Sequence, residues 1–187
     1  DTQLLKAYAA NLADTGWKTP GVEGETREWT NSSAAYVQTD NNSYAQGSVG
    51  QIQDYANFGF DVSVGVTNPV ITGIEVSMQA DTFFSSPTVD VQLSWDGGSS
   101  WTSPRELSWF AGLGDSTEST GGSTNSWGHN WQQSELGDSN FRLRIINTDG
   151  SSTIDLDLLE VRVHYAEDMA PTANPGSSDV LEGEPVV

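Results

Sequence analysis

Apolar and polar residues alternate with a period of two in several stretches of the chain. Phe58, Phe60, Val62 and Val64 are separated by Gly59, Asp61 and Ser63. Ile74, Val76, Met78 and Ala80 alternate with Glu75, Ser77 and Gln79, and Val89, Val91, Leu93 and Trp95 with Asp90, Gln92 and Ser94. Phe141, Leu143 and Ile145 flank Arg142 and Arg144. This rhythm predicts strands with one dry and one wet face, as in antiparallel sheets. The stretch 154–165 holds two phases: Ile154, Leu156 and Leu158, then Leu159, Val161, Val163 and Tyr165. A long strand with a bulge near Leu158 and Leu159 reconciles them. A first strand is expected at 4–10, a polar loop at 112–126, and a helical turn at 132–137. Turn residues such as Asp40-Asn41-Asn42-Ser43, Asp96-Gly97-Gly98 and Asp149-Gly150-Ser151 punctuate the strands. Eight to ten strands at this spacing predict an all-β fold: an antiparallel two-sheet sandwich, a jelly roll, over residues 1–166. Residues 167–187 read as a Pro/Ala/Asn/Ser-rich linker and the start of another unit.

Composition supports this. Nineteen glycines, seven Lys plus Arg and only 18% charged residues suit turns and strands better than helices. The 26 carboxylates give a net charge of −19, which repels nucleic-acid phosphates and anionic lipid. No apolar run approaches the ~20 residues of a membrane span, so neither nucleic acid nor membrane insertion is expected. There is no cysteine, hence no disulfide or thiolate metal site. The start at Asp1-Thr2-Gln3 without Met reads as a mature, exported N-terminus, and an extracellular or cell-surface location is expected.

A resemblance sharpens the picture. Trp29-Thr30-Asn31, Asn42-Ser43-Tyr44-Ala45, Phe58-Gly59-Phe60, Ile71 to Val76, Leu93 to Thr102, Trp127-Gly128 with Trp131, and Asn140 to Arg144 occur in an order that resembles a jelly-roll module. This carbohydrate-binding-module-like, galactose-binding-like module recurs in large exported bacterial and archaeal surface proteins. The resemblance implies architecture and setting and no reaction. Ala170-Pro171-Thr172-Ala173-Asn174-Pro175-Gly176 and Val180 to Val187 are similar to the first strands of a PKD or related immunoglobulin-like repeat, a spacer in adhesins and surface-layer proteins.

Ser94-x-Asp96-x-Gly98-x-x-Trp101 fits the Asp-box pattern, and local side-chain to backbone bonds suffice to explain it as a self-stapled turn. Of the seven tryptophans, Trp95, Trp101 and the pair Trp127 and Trp131, which alternate with His129 on one expected strand face, are expected in the core. Phe83, Phe84, Trp109 and Phe110, beside polar loops, are expected to be exposed and are the candidate glycan- or protein-contacting residues. Calcium is the expected ion, if any is bound, because it takes oxygen ligands. Its candidate ligands are Asp40, Asn42, Asp155, Asp157 and Glu160; the alternative is solvated carboxylates. Arg142, Arg144 and Arg162 face outward and are expected to pair with carboxylates across strands. No catalytic pattern stands out, and no enzyme is expected. Three readings remain: an accessory module carried beside a hydrolase's catalytic domain, a glycan-binding module of an adhesin-type protein, or a structural subunit of a filament, surface layer or virion. The last would form a homopolymer with neighbouring subunits by strand addition through the termini.

Overall fold

A computed structural model describes residues 12–33, 37–62, 69–82, 86–150 and 152–167. The described strands number ten. One sheet holds β1 (Leu12–Asp14), β3 (Ala45–Gly47), β5 (Pro69–Asp81), β8 (Asp115–Gly121) and β10 (Ile154–Glu167). The other holds β2 (Val22–Arg27), β4 (Ile52–Ala56), β6 (Thr88–Ser94), β7 (Arg105–Ser108) and β9 (Arg142–Asn147). The orders are β1-β10-β5-β8, with β3 also on β10, and β2-β4-β9-β6-β7. Apart from the β6–β7 step, successive strands cross between sheets, wrapping the chain around one core as an antiparallel jelly-roll sandwich.

Alternation explains the core. Ile74, Val76, Met78 and Ala80 of β5 are buried against Val89, Val91 and Leu93 of β6 and Leu143 and Ile145 of β9. Trp127 and Trp131 are buried as expected, whereas Trp95 and Trp101 are only half-buried. Phe58, Phe60 and Phe141 stack or meet edge to face, with centroids 5.1–5.5 Å apart, and close one end.

β10 organises its sheet. One edge pairs along its length with β5. The other is shared by β3, single bridges from Gln38 to Leu158 and from Lys18 to Val161, and β1. The expected bulge exists but lies earlier, between Leu156 and Leu158, so Asp157 is the extra residue.

Three expectations are corrected. Residues 58–62 do not form a strand, because Asn57 and Gly59 adopt positive φ and bend the chain. Residues 127–131 form no strand either, with Trp127 itself at φ 58°. The loop expected at 112–126 contains β8, an edge strand whose polar residues pair with β5. The helical turn is a 3-10 turn at Gln133–Leu136, closed by reciprocal bonds between Gln132 and Glu135. The strand expected at 4–10 lies outside the described residues, as does the 167–187 segment beyond Glu167.

Candidate functional site

The bulge in β10 creates the first candidate, an acidic corner. As the extra residue, Asp157 turns its carboxylate under the loop at 39–43, where it is fully buried. The Asn41 and Asn42 backbone amides donate to it at 3.2 Å. Asn42 takes φ 59°, a conformation Asn tolerates, and the Ser43 amide donates to the Asn41 side chain, closing the loop. Asp40, Asp115 and Asp157 then offer carboxylate oxygens within 4.8 Å of one another. Partial desolvation and the charges of Asp157, Asp81 and Asp40 hold the Asp115 carboxyl above its usual range, although Tyr44 donates a hydrogen bond to it. Partial desolvation and the carboxylates of Asp115, Asp81 and Asp157 push the Tyr44 hydroxyl up to about 12. Converging hard oxygen donors with unfavourable mutual charge fit a divalent cation such as calcium.

Of the expected ligands, the fold brings together Asp40 and Asp157. Asn42 serves through its amide, and its side-chain oxygen lies 3.3 Å from the Tyr44 hydroxyl. Asp155 does not join them. The bulge separates it from Asp157, and it accepts a hydrogen bond from Gln46 at 2.7 Å. Glu160 lies in register with Ser77, away from the cluster, its carboxyl raised by burial. The sequence pattern does not single out Asp115, because 112–126 predicts a polar loop and not β8.

The second candidate lies on the outer face of the β2-β4-β9-β6-β7 sheet. Arg144 on β9 sits in register with Asp54 on β4 and Gln92 on β6. Its Nε and Nη2 donate to the two Asp54 oxygens at 2.8 and 2.9 Å, and the Thr26 amide donates to Asp54 at 3.2 Å. Gly24 lets β2 pass this pair: a Cβ there would lie 2.6 Å from the Asp54 Cβ. Trp101 stacks on the Arg144 guanidinium at 3.9 Å. It is held there by the Asp-box turn, in which Ser94 accepts from the Gly98 amide, Asp96 from the Ser100 amide and Gly98 from the Trp101 indole. The self-stapled reading of that motif therefore describes it. Of the outward arginines, Arg144 pairs across strands with Asp54 and Arg162 with Glu75 at 2.7 Å on the other sheet, whereas Arg142 donates to the Asp138 and Phe141 carbonyls.

Beside Arg144 the face sinks into a depression of about 290 Å³ between β2, β4 and β9. Val22 and Ala56 supply its apolar part, Asn57 an amide, Arg27 and Arg142 guanidiniums, and Glu23 and Glu25 carboxylates. Two apolar side chains among mostly polar ones make this a polar surface depression, and its volume lies just below the ~300–1,000 Å³ usual for a small-molecule site. Only Arg142 among these residues stood out in the sequence; β2 carries no clean alternation to announce the rest.

The aromatic candidates fare differently. Trp109 is corrected: it is 2% exposed, because the end of β7 turns it inward and its indole donates to the Ser116 carbonyl at 3.0 Å. Phe110 is exposed, with Leu113 near it in sequence on the same β7–β8 connection. Phe83 and Phe84 lie outside the described residues.

No known protein family and no curated protein matches the chain. Among solved structures it is similar to the CBM22-1 xylan-binding domain from Paenibacillus barcinonensis Xyn10C, at 12% identity over 83% of this chain and 96% of that one, with a TM-score of 0.34. A likeness of that degree says nothing about what this chain binds.

Proposed function

We propose that the chain is a non-catalytic extracellular module that binds glycan on the outer face of the β2-β4-β9-β6-β7 sheet. The observation that carries this reading is the depression itself, an apolar floor of Val22 and Ala56 ringed by Arg27, Arg142, Glu25 and Asn57. Sugars present C–H faces and hydroxyls together, and a site that answers both needs apolar surface beside fixed donors and acceptors. Rigid strands position these groups, which limits the ordering cost of binding. The acidic composition and the resemblance of residues 29–165 to modules of exported surface proteins support the extracellular setting.

In this reading calcium bound by Asp40, Asp115 and Asp157 fastens the 39–43 loop to β10 and serves as a structural ion remote from the chemistry of recognition. Affinity electrophoresis through gels containing soluble polysaccharides tests the proposal. Retardation by at least one polysaccharide, relieved when Ala56→Trp fills the depression, is expected. Free migration through every gel refutes it.

A further inference from the structure

We propose that the glycan held in this depression runs on across the sheet and stacks a second sugar ring on the solvent-facing side of the Trp101 indole. The ligand is then a neutral, linear oligosaccharide and not a single sugar. The inference rests on the glycan reading above, and it starts from what the depression lacks. Val22 and Ala56 are the two apolar side chains of its lining, and the other side chains there are polar or charged. A pyranose ring presents C–H faces as well as hydroxyls, and covering such a face with apolar surface is favourable in proportion to the area removed from water. The flat apolar surface that the depression is short of lies one side chain away. Arg142, which lines the depression, and Arg144 point the same way from β9, roughly 7 Å apart along the strand. Trp101 lies on the Arg144 guanidinium at 3.9 Å.

The indole N–H donates to the Gly98 carbonyl at 2.9 Å, and the bonds of Ser94 and Asp96 fix the turn that carries the ring. The Arg144 guanidinium covers the face turned to the sheet. Trp101 is nevertheless only half-buried, so the surface it leaves to solvent is the opposite face, flat, apolar and already held in place. A sugar that settles there orders no side chain as it binds. A Trp–Arg stack alone marks no site, since Trp17 lies on Arg162 at 4.4 Å on the other sheet. Trp101 differs in its position. Arg144 grips Asp54, and Gly24, packed beside Asp54, is itself part of the depression's lining. One ion pair therefore separates the depression from the ring, a gap that neighbouring units of one chain can bridge. Charge points to a neutral ligand. Arg27 and Arg142 in the lining are matched by Glu23 and Glu25, Arg144 is matched by Asp54, and the protein at −19 repels polyanions. Pyranose rings with largely equatorial hydroxyls turn their C–H bonds to the ring faces, and equatorial linkage keeps successive rings extended. The ligand class is thus a neutral, β-linked pyranose chain.

Calorimetric titration with β-linked gluco-, manno- and xylo-oligosaccharides of increasing length tests the inference. In at least one series affinity should step up about tenfold between the shortest member that binds and those long enough to reach Trp101, the range of a ring stacked on an aromatic face. Trp101→Ala should remove that step. Trp17→Ala, which takes away the like stack on the other sheet, should keep it. Because Trp101→Ala also uncovers Arg144, a second measurement uses the parent protein alone: oxidation by N-bromosuccinimide, read residue by residue by mass spectrometry. The longest oligosaccharide that binds should protect Trp101 several-fold and leave Trp17 as reactive as before. Four results overturn the inference and leave the glycan reading standing: no step with length, a step that survives in Trp101→Ala, its loss in Trp17→Ala, or Trp101 oxidised equally with and without bound oligosaccharide. Binding confined to uronic-acid oligosaccharides overturns the assignment to a neutral chain. Binding of no oligosaccharide or polysaccharide overturns both readings.

Discussion

Removing Arg144 should destabilise the domain far more than an ordinary surface substitution. The Asp54 carboxylate is 3% exposed, and Arg144 is its charge partner through two hydrogen bonds. Truncation to Ala leaves a buried carboxylate with the Thr26 amide as a remaining donor. Breaking a buried pair in this way costs about 3–5 kcal/mol, and loss of the stack on Trp101 adds roughly 0.5–1 kcal/mol. We expect about 5 kcal/mol in total, a fall in Tm of roughly 10–20 °C for a domain of this size. Asp54→Ala should cost less, about 2–3 kcal/mol, because the Arg144 side chain is 20% exposed and keeps its ring contact. The double variant Asp54→Leu/Arg144→Met should recover to within about 2 kcal/mol of the parent, since no charge remains to be desolvated. Urea unfolding with a common m-value measures all four proteins. A loss below about 1 kcal/mol for Arg144→Ala, or a double variant as unstable as the sum of the singles, refutes the account of this pair.

Four further outcomes follow from the same structure. Calcium should raise the melting temperature of the parent protein, and Asp157→Asn should remove that response; an unchanged melting curve with and without chelator would exclude a cation at the acidic corner. In chelator the raised Asp115 carboxyl acts in the opposite sense to a salt-bridged one: its contribution is most favourable when protonated and is lost as pH rises through its folded pKa, so Asp115→Asn should stabilise the chelated protein at neutral pH and lose that advantage in acid, as read by melting across a pH series. Glu75 runs the other way: although partial burial opposes it, Arg162 and His164 hold its carboxyl below the usual range, so the stability it lends is present at neutral pH and lost as pH falls through its folded pKa, and the urea-midpoint gap between parent and Glu75→Gln should close on acidification. Trp109→Ala should cost about 3–5 kcal/mol, whereas Phe110→Ser should stay within about 0.5 kcal/mol of the parent, a contrast that denaturant unfolding reads directly.

What the sequence determined by itself is what short-range chemistry encodes. The alternation at 74–80, 89–93 and 141–145 states which side chains face the core, and β5, β6 and β9 follow it. The Asp-box residues specify their own turn, because every bond in it joins residues within six positions of one another. The phase change at 154–165 announced a bulge. Only the tertiary structure decided which residue the bulge would expel from the ladder, and that choice buries Asp157 beneath a loop 115 positions away in sequence and parts it from Asp155. Likewise β8 alternates nothing apolar with polar; it becomes a strand because β5 presents an edge whose backbone groups need partners, and with it Asp115 reaches Asp40 and Asp157. Trp109 reads like an exposed aromatic until the Ser116 carbonyl, brought up by that same strand, takes its indole N–H. Periodicity records the face a residue prefers; which distant backbone or carboxylate meets it there is set by strand pairing, and the depression on β2, β4 and β9 exists only once those three strands lie side by side.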